Sequence, residues 1–155
     1  MLMSDFAMTI REMEEKDFAA VLEIQNATHF ENWDEKALRN LWMKTYTFAF
    51  VAEAPDAQGE WKVAGYALFA LAADEAELLA ISTAPEFLRK GIASEIFAEG
   101  EEALADAGAR NFYLEVREKN RAAIAFYQSL GFDKCGERRE YYSDGENAVL
   151  MSRPL

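Results

Sequence analysis

PEFLRKGIASEIFAEGEEALADAGARNFYLEVREKNRAAIAFYQSLGF, residues 85–132, holds three features whose order decides the fold. A basic loop with one glycine, Arg89-Lys90-Gly91-Ile92-Ala93-Ser94, opens a helix. A strand, Leu114-Glu115-Val116-Arg117, carries a single acid, and a following helix places Tyr127 ahead of a Leu-Gly-Phe turn. The apolar period predicts a helix from about Lys90 through Ala107, ended by Gly108. Phe112, Leu114 and Val116 alternate with Tyr113, Glu115 and Arg117, which is the period of a strand with two unlike faces. Asn120 or its neighbour caps the next helix, on which Ile124, Tyr127 and Gln128 share a face before Gly131 closes it.

Each part has a chemical use and a plainer one. The first N–H groups of a helix have no internal partner, and the dipole there favours negative charge. Glycine lets the backbone approach a ligand, and two adjacent cations add charge-assisted bonds. A pyrophosphate fits this loop, although the same residues also make an ordinary loop. The spacings GxxxxGK[ST] and GxGxxG are absent, which lowers the case for an NTPase or a nicotinamide enzyme. Glu115 stands mid-strand, where acids are disfavoured. Beside Tyr113 and Arg117 it reads as part of a solvated or salt-bridged face, or as a general base in a cleft. Tyr127 reads as core packing, or as a phenol able to protonate a leaving thiolate.

Working outward, Met8 to Met13 alternates as a first strand, with Asp17 as N-cap of a helix that carries Phe18, Val21 and Leu22 and ends near Asn26. Asp34 caps a second helix whose apolar face is Leu38, Leu41 and Trp42. Phe48 to Glu53 is a strand, and Ala54 to Glu60, with Pro55 and Gly59, is a turn. Trp61 to Ala72 and Glu75 to Thr83 are two further strands. Phe132 to Tyr142 and Ala148 to Ser152 form a closing hairpin around Ser143-Asp144-Gly145. The order βααβββαβαββ predicts an α/β domain with a mixed, mainly antiparallel sheet and helices on both faces.

Composition narrows the function. With 155 residues and 51% hydrophobic side chains, the chain is expected to be one folded domain, residues 1–155. It has no 18-residue apolar run, its start lacks the pattern of a signal peptide, and its lone Cys135 fits a reducing cytosol, so a cytoplasmic protein is expected. A single histidine, His29, read as an ordinary loop residue, leaves neither a zinc site nor a Ser-His-Asp hydrolase in sight. The formal charge of −12 argues against nucleic acid as a direct partner and suits a cationic protein, or simply keeps the chain soluble.

On LEVREKNRAAIAFYQSLGF, the Gly loop, HFENWDEKAL and the closing ERREYYSDGENAVLMSRPL, the chain resembles the GNAT N-acetyltransferase superfamily. Within it the chain resembles the RimI-like ribosomal-protein-alanine N-acetyltransferases. The resemblance spans nearly the whole length and is strongest from Glu77 to Phe132. It implies a V-shaped sheet that splays between its fourth and fifth strands around acetyl-CoA, with no metal. By the same match, Ile81, Ser82 and Thr83 offer backbone groups to the pantetheine and the acetyl carbonyl. Arg89, Lys90, Gly91, Ile92, Ala93 and Ser94 hold the pyrophosphate, Asn120 bonds the cofactor arm, Glu115 is the general base and Tyr127 the general acid.

Three departures from the family pattern stand out. Leu88 occupies a place usually held by Gln or Arg, Ala93 replaces a second glycine, and Thr83-Ala84 replaces Val-Asp. The implied acceptor is a basic protein N-terminus, the N-terminal alanine of a small-subunit ribosomal protein, with the enzyme a monomer or weak dimer. Residues 26–36 and 141–147 are the expected acceptor walls, where Glu31, Asp34 and Glu35 either meet a cationic second residue or form a solvated helix start. The alternatives are an acetyltransferase for another amine and a non-catalytic acyl-CoA-binding module; intact Glu115 and Tyr127 weigh against the latter.

Overall fold

A computed structural model describes residues 6–29 and 32–155. Strand β1 is Thr9–Glu12, and a 3-10 turn, Glu15–Asp17, leads into helices α1 (Phe18–Thr28) and α2 (Glu35–Trp42). Then come β2 (Thr47–Pro55), β3 (Trp61–Ala72) and β4 (Glu75–Thr83). A 3-10 turn at Pro85–Phe87 precedes α3 (Ile92–Asp106), followed by β5 (Asn111–Arg117), α4 (Arg121–Ser129), β6 (Asp133–Arg138) and β7 (Ala148–Pro154). This is the βααβββαβαββ order expected, in one seven-stranded sheet ordered β1-β2-β3-β4-β5-β7-β6. Among the described residues only β4 and β5 run parallel.

Boundaries differ where side chains or backbone signs intervene. The helix expected from Lys90 starts at Ile92, because Arg89 (φ 65°) and Gly91 (φ 78°) are left-handed and cannot continue a right-handed helix. Helix α1 runs on to Thr28, two residues beyond the Asn26 end expected. Asp17 precedes α1 but caps nothing in it. Its buried carboxylate takes both terminal nitrogens of Arg11 at 2.8 Å and the Glu14 N–H at 2.8 Å. β6 stops at Arg138, and residues 139–147 form a loop. Strand β2 reaches Pro55, since the turn is confined to Asp56–Gly59, where Asp56 O accepts from Gly59 N–H and Asp56 N–H donates to Glu60 O.

The helices lie on both faces of the sheet, as β3 demonstrates. Consecutive strand residues point to opposite faces. A Cβ on Gly65 would meet Ile92 and Ile96 of α3, whereas the hydroxyl of neighbouring Tyr66 donates to Gln25 Oε1 of α1. The α3 face is closed by Phe69, Phe97, Phe112 and Phe132, all fully buried, with Phe97 stacked on Phe112 at 5.1 Å and Phe132 edge-on to it at 5.5 Å. These four rings join β3, α3, β5 and the start of β6 into one core.

Gly100 lets α3 settle on that cluster: a Cβ there would stand 2.2 Å from Phe69 Cε2. Gly100→Ala gains about 1 kcal/mol of helix propensity but overpacks a rigid ring, so it should lower the urea midpoint. An unchanged or higher midpoint would show that the helix does not rest on Phe69. Asp17→Asn removes one charge-assisted partner of Arg11, which keeps Glu53 at 2.7 Å, and should cost about 2 kcal/mol. Burial raises the Asp17 carboxyl, but Arg11 and the Glu14 N–H outweigh it and hold it below the ordinary value. The pair's contribution is therefore present above the unfolded-state value of about 3.9 and lost as pH falls below it. Parent and variant stabilities, measured by denaturant, should converge on acidification.

Candidate active site

Strands β4 and β5 pair only from Glu75↔Asn111 to Leu78↔Leu114 and then part. Each is held on its outer edge: β3 pairs β4 through Gly65↔Thr83, and β7 pairs β5 through Arg117↔Ala148. The opening therefore keeps two strand walls. In an antiparallel ladder, residues alternately turn both backbone groups toward the partner and away from it. Ala84 N–H donates to Ala64 O at 2.8 Å, so Ala84 and Ser82 face β3, while Ile81 and Thr83 turn N–H and C=O into the opening. Of the three strand residues expected to meet a cofactor, two have their backbone there. Ser82 meets the helix layer through its side chain, with its hydroxyl 2.7 Å from Thr28 Oγ1 at the end of α1.

The Gly loop lies past the end of β4. The first bond of the α3 ladder runs from Glu95 N–H to Gly91 O at 3.1 Å, which leaves the N–H groups of Ile92, Ala93 and Ser94 at the positions a helix cannot satisfy itself. Ile92 contributes only its backbone, because its side chain is buried beneath Gly65. Arg89 is exposed; Lys90 Nζ stands 5.4 Å from the centre of the Phe6 ring. Leu88 is 56% exposed, so the apolar residue at the loop's start projects from the surface.

Helix α4 approaches from the α3 side, since Tyr127 packs edge-on against Phe132 at 6.2 Å. Asn120 caps it, with Oδ1 accepting from Ala123 N–H at 3.2 Å, and only its NH2 group is left to donate to a ligand. Burial, reinforced by Tyr142, pushes the Tyr127 phenol up to about 12. Tyr127 in turn helps hold the proton on Tyr66, which burial already keeps protonated. Tyr127 is partly buried and packs against the core beside Phe126 and Phe132.

Glu115 lies on β5 one residue past the last β4 pairing, on the face opposite α3. Its Oε1 accepts from Arg138 Nε at 3.2 Å, and the Tyr141 hydroxyl lies against the same carboxylate, which holds the phenol proton on. Tyr141 packs edge-on to Tyr142 at 5.1 Å, and the Arg117 guanidinium covers the Tyr142 ring at 4.0 Å. Arg117 also pairs with Asp144 at 2.9 Å and Glu146 at 3.0 Å, fixing the loop at residues 139–147 over the end of β5. The structure thus gathers Glu115, Tyr127, the free backbone of Ile81 and Thr83, and the α3 start around one opening. The base candidate faces α1; the anion cradle and the phenol face α3 and α4.

The α1–α2 wall is pinned by Asn26, which accepts from Trp33 N–H at 2.9 Å and donates to Trp33 O at 3.3 Å. Glu31 lies outside the described residues. Asp34 is spent on capping α2, with Oδ1 accepting from Ala37 N–H at 2.8 Å, and Glu35 approaches Arg39 at 4.0 Å. Sequence reasoning missed Glu77 and Arg138. Glu77 had a signal, being an acid within a strand like Glu115, whereas nothing in the sequence shows Arg138 reaching Glu115 across β7. Among the described residues no group of three or more His, Cys, Asp or Glu side chains could hold a metal ion, and no helix is long and apolar enough to cross a membrane.

The chain matches the model of the acetyltransferase (GNAT) family over residues 18–132. It is 32% identical over 150 residues to the [ribosomal protein bS18]-alanine N-acetyltransferase of Escherichia coli strain K12, covering 95% of this chain and 97% of that one. The crystal structure of the ribosomal-protein-S18-alanine N-acetyltransferase from Escherichia coli is similar with a TM-score of 0.83 over 96% of this chain and 94% of that one, at 32% identity. Ard1 from Thermoplasma volcanium is similar with a TM-score of 0.86 at 27% identity, over 96% and 98% of the two chains.

A phenol at about 12 is protonated throughout the working range of an enzyme. In a spectrophotometric pH titration, parent and Tyr127→Phe should differ by one phenolate only near 12, well above the ordinary tyrosine value of about 10. A difference already complete at about 10 would place Tyr127 in water and not at a dry opening.

Proposed function

This chain belongs to the acetyltransferase (GNAT) family, and from that premise we propose that it acetylates the N-terminal α-amine of a protein, using acetyl-CoA. The acceptor we favour is the N-terminal alanine of a small-subunit ribosomal protein, in the cytoplasm, with residues 1–155 as one catalytic domain working as a monomer or weak dimer. The observation that carries the reading is the parting of β4 and β5, with a carboxylate at its edge on one face and a helix start on the other. The relatives' alanine acceptor supports the choice of substrate, as does a net charge of −12, which suits a basic protein tail.

The residues present fit the cosubstrate. Ile81 and Thr83 offer strand-like backbone groups to an amide-bearing arm, the role β5 fills lower down the sheet. The N–H groups of Ile92, Ala93 and Ser94 suit a pyrophosphate, and Arg89 adds a cation that no described residue pairs. Acetyl-CoA supplies the activated acetyl group when bound.

Glu115 takes a proton from the acceptor's ammonium. An α-amine titrates near 8, against about 10.4 for a lysine side chain, so one carboxylate suffices for the former far better than for the latter. The freed amine forms its bond to the acetyl carbon as the carbon–sulfur bond breaks, and the second proton, shed by the nitrogen as it becomes an amide, neutralises the released thiolate through solvent. The Thr83 N–H donates to the carbonyl oxygen, a role worth about 3 kcal/mol. Tyr127 donates to the sulfur as negative charge builds there. Since its proton is held more tightly than a thiol's, near 8.5, Tyr127 stabilises the departing thiolate chiefly as a hydrogen-bond donor and ends the cycle protonated.

Mass spectrometry of the protein with acetyl-CoA and a peptide panel tests the acceptor. Acetylation should be confined to a free N-terminal alanine and absent from blocked peptides with internal lysines and from a polyamine; product on lysine or polyamine alone would overturn the α-amine reading. Glu115→Gln should lower kcat by roughly 10²–10⁴-fold with acetyl-CoA affinity retained. Unchanged turnover would remove Glu115 from the base role.

A further inference from the structure

On the α1 face, the paired part of β4 and β5 floors a cavity of about 350 Å³ that continues from Glu115 away from the opening. Ala70 and Ala72 of β3 and Leu150 of β7 give it apolar walls, with Tyr113 in its floor. Glu77 stands across it from Glu115. Glu77 pairs in register with Tyr113, so Glu115 is the next residue along the same face, about 8 Å away by strand spacing and rise. Arg138 is the cation of this cavity, and it is bonded to Glu115. Glu77, exposed to solvent, has no hydrogen bond or ion pair among the described residues. Partial burial and then the Glu115 charge lift its carboxyl above the ordinary value, with Arg138 offsetting part of this. Two carboxylates of this cavity, Glu77 and Glu75, have no hydrogen bond or ion pair among the described residues, and Glu77 is the nearer to Glu115, since Glu75 pairs with Asn111 two residues further along. A carboxylate over apolar walls, beside a reacting amine, matches a long aliphatic stem with a cationic head.

We propose that Glu77 is a specificity-determining residue, receiving the cationic side chain of the residue that follows the acetylated one. The inference rests on the α-amine reaction above. The reacting amine belongs at Glu115, where the strands part, because Glu77 lies on the paired part of the sheet. From an amine at Glu115, the second residue's side chain can bridge the distance to Glu77. The acids of α2 are poor rivals: Asp34 is occupied by its own cap, and Glu35 has Arg39 beside it.

Peptides with a free N-terminal alanine, identical except for arginine, citrulline or glutamate in second place, provide the test. The parent enzyme should favour arginine over citrulline about tenfold in kcat/KM, mostly through KM, as a charge-assisted contact predicts. Glu77→Gln should bring that ratio close to one, and Glu77→Lys should move the preference toward glutamate. Should either variant fold poorly, the parent's ratio and its fall with added salt decide the matter. Equal use of arginine and citrulline by the parent, or an arginine preference that survives Glu77→Gln, would overturn this inference and leave α-amine acetylation standing. No product from any free-amine peptide would overturn both.

Discussion

The structure turns on a pairing that stops. Beyond Leu78 and Leu114, β4 and β5 give up each other's hydrogen bonds while each keeps its other neighbour. Unpaired backbone groups in a folded interior are costly, so an opening of this kind stands only where something else satisfies them. The N–H and C=O of Ile81 and Thr83 are the groups that the amide-bearing cosubstrate proposed above would satisfy. The core sets how wide that opening stands. The Phe69, Phe97, Phe112 and Phe132 cluster ties β3, α3 and β5 together just beneath the split, and Gly100 lets α3 lie close enough for its N-terminus to end beside it.

The opening also divides the chemistry by face. The α3 start and the Tyr127 phenol approach from the α3 and α4 side, and the carboxylates from the α1 side, so the polyanionic donor and cationic acceptor proposed above would meet without sharing a surface. The loop at residues 139–147 lies against both Glu115 and Tyr127, the base and acid of the proposal. Tyr141 touches Glu115, Tyr142 bears on Tyr127, and Arg117 with Asp144 and Glu146 holds the pair of rings in place. A chain this acidic would repel its own cosubstrate if the charges were mixed on one side; their separation removes that conflict.

Much of this was legible in the residues. The strands expected over Trp61 to Ala72 and Glu75 to Thr83 have those limits in the structure, and the alternation around Glu115 showed which side chains leave the core. Asp34 and Asn120 announced caps, and both accept the expected N–H. The errors have local causes. Asp17 looks like a cap in sequence, but Arg11 from β1 claims its carboxylate. Lys90 looks helical, but Arg89 and Gly91 take positive φ on either side of it. Ser82 looks equivalent to its neighbours, yet the ladder turns its backbone toward β3.

The sequence by itself determined the order of elements, the faces of each strand, and the residue types that make a cradle, an acid and a phenol, because periodicity and capping are local properties of the chain. Only the tertiary structure decided that β4 and β5 part after four paired positions, that Arg138 rather than a nearer cation meets Glu115, and that Glu77 lines a cavity with no hydrogen bond or ion pair among the described residues. These follow from contacts between strands distant in the chain, where register and the close packing of one core, not any single segment's preference, fix which side chains meet.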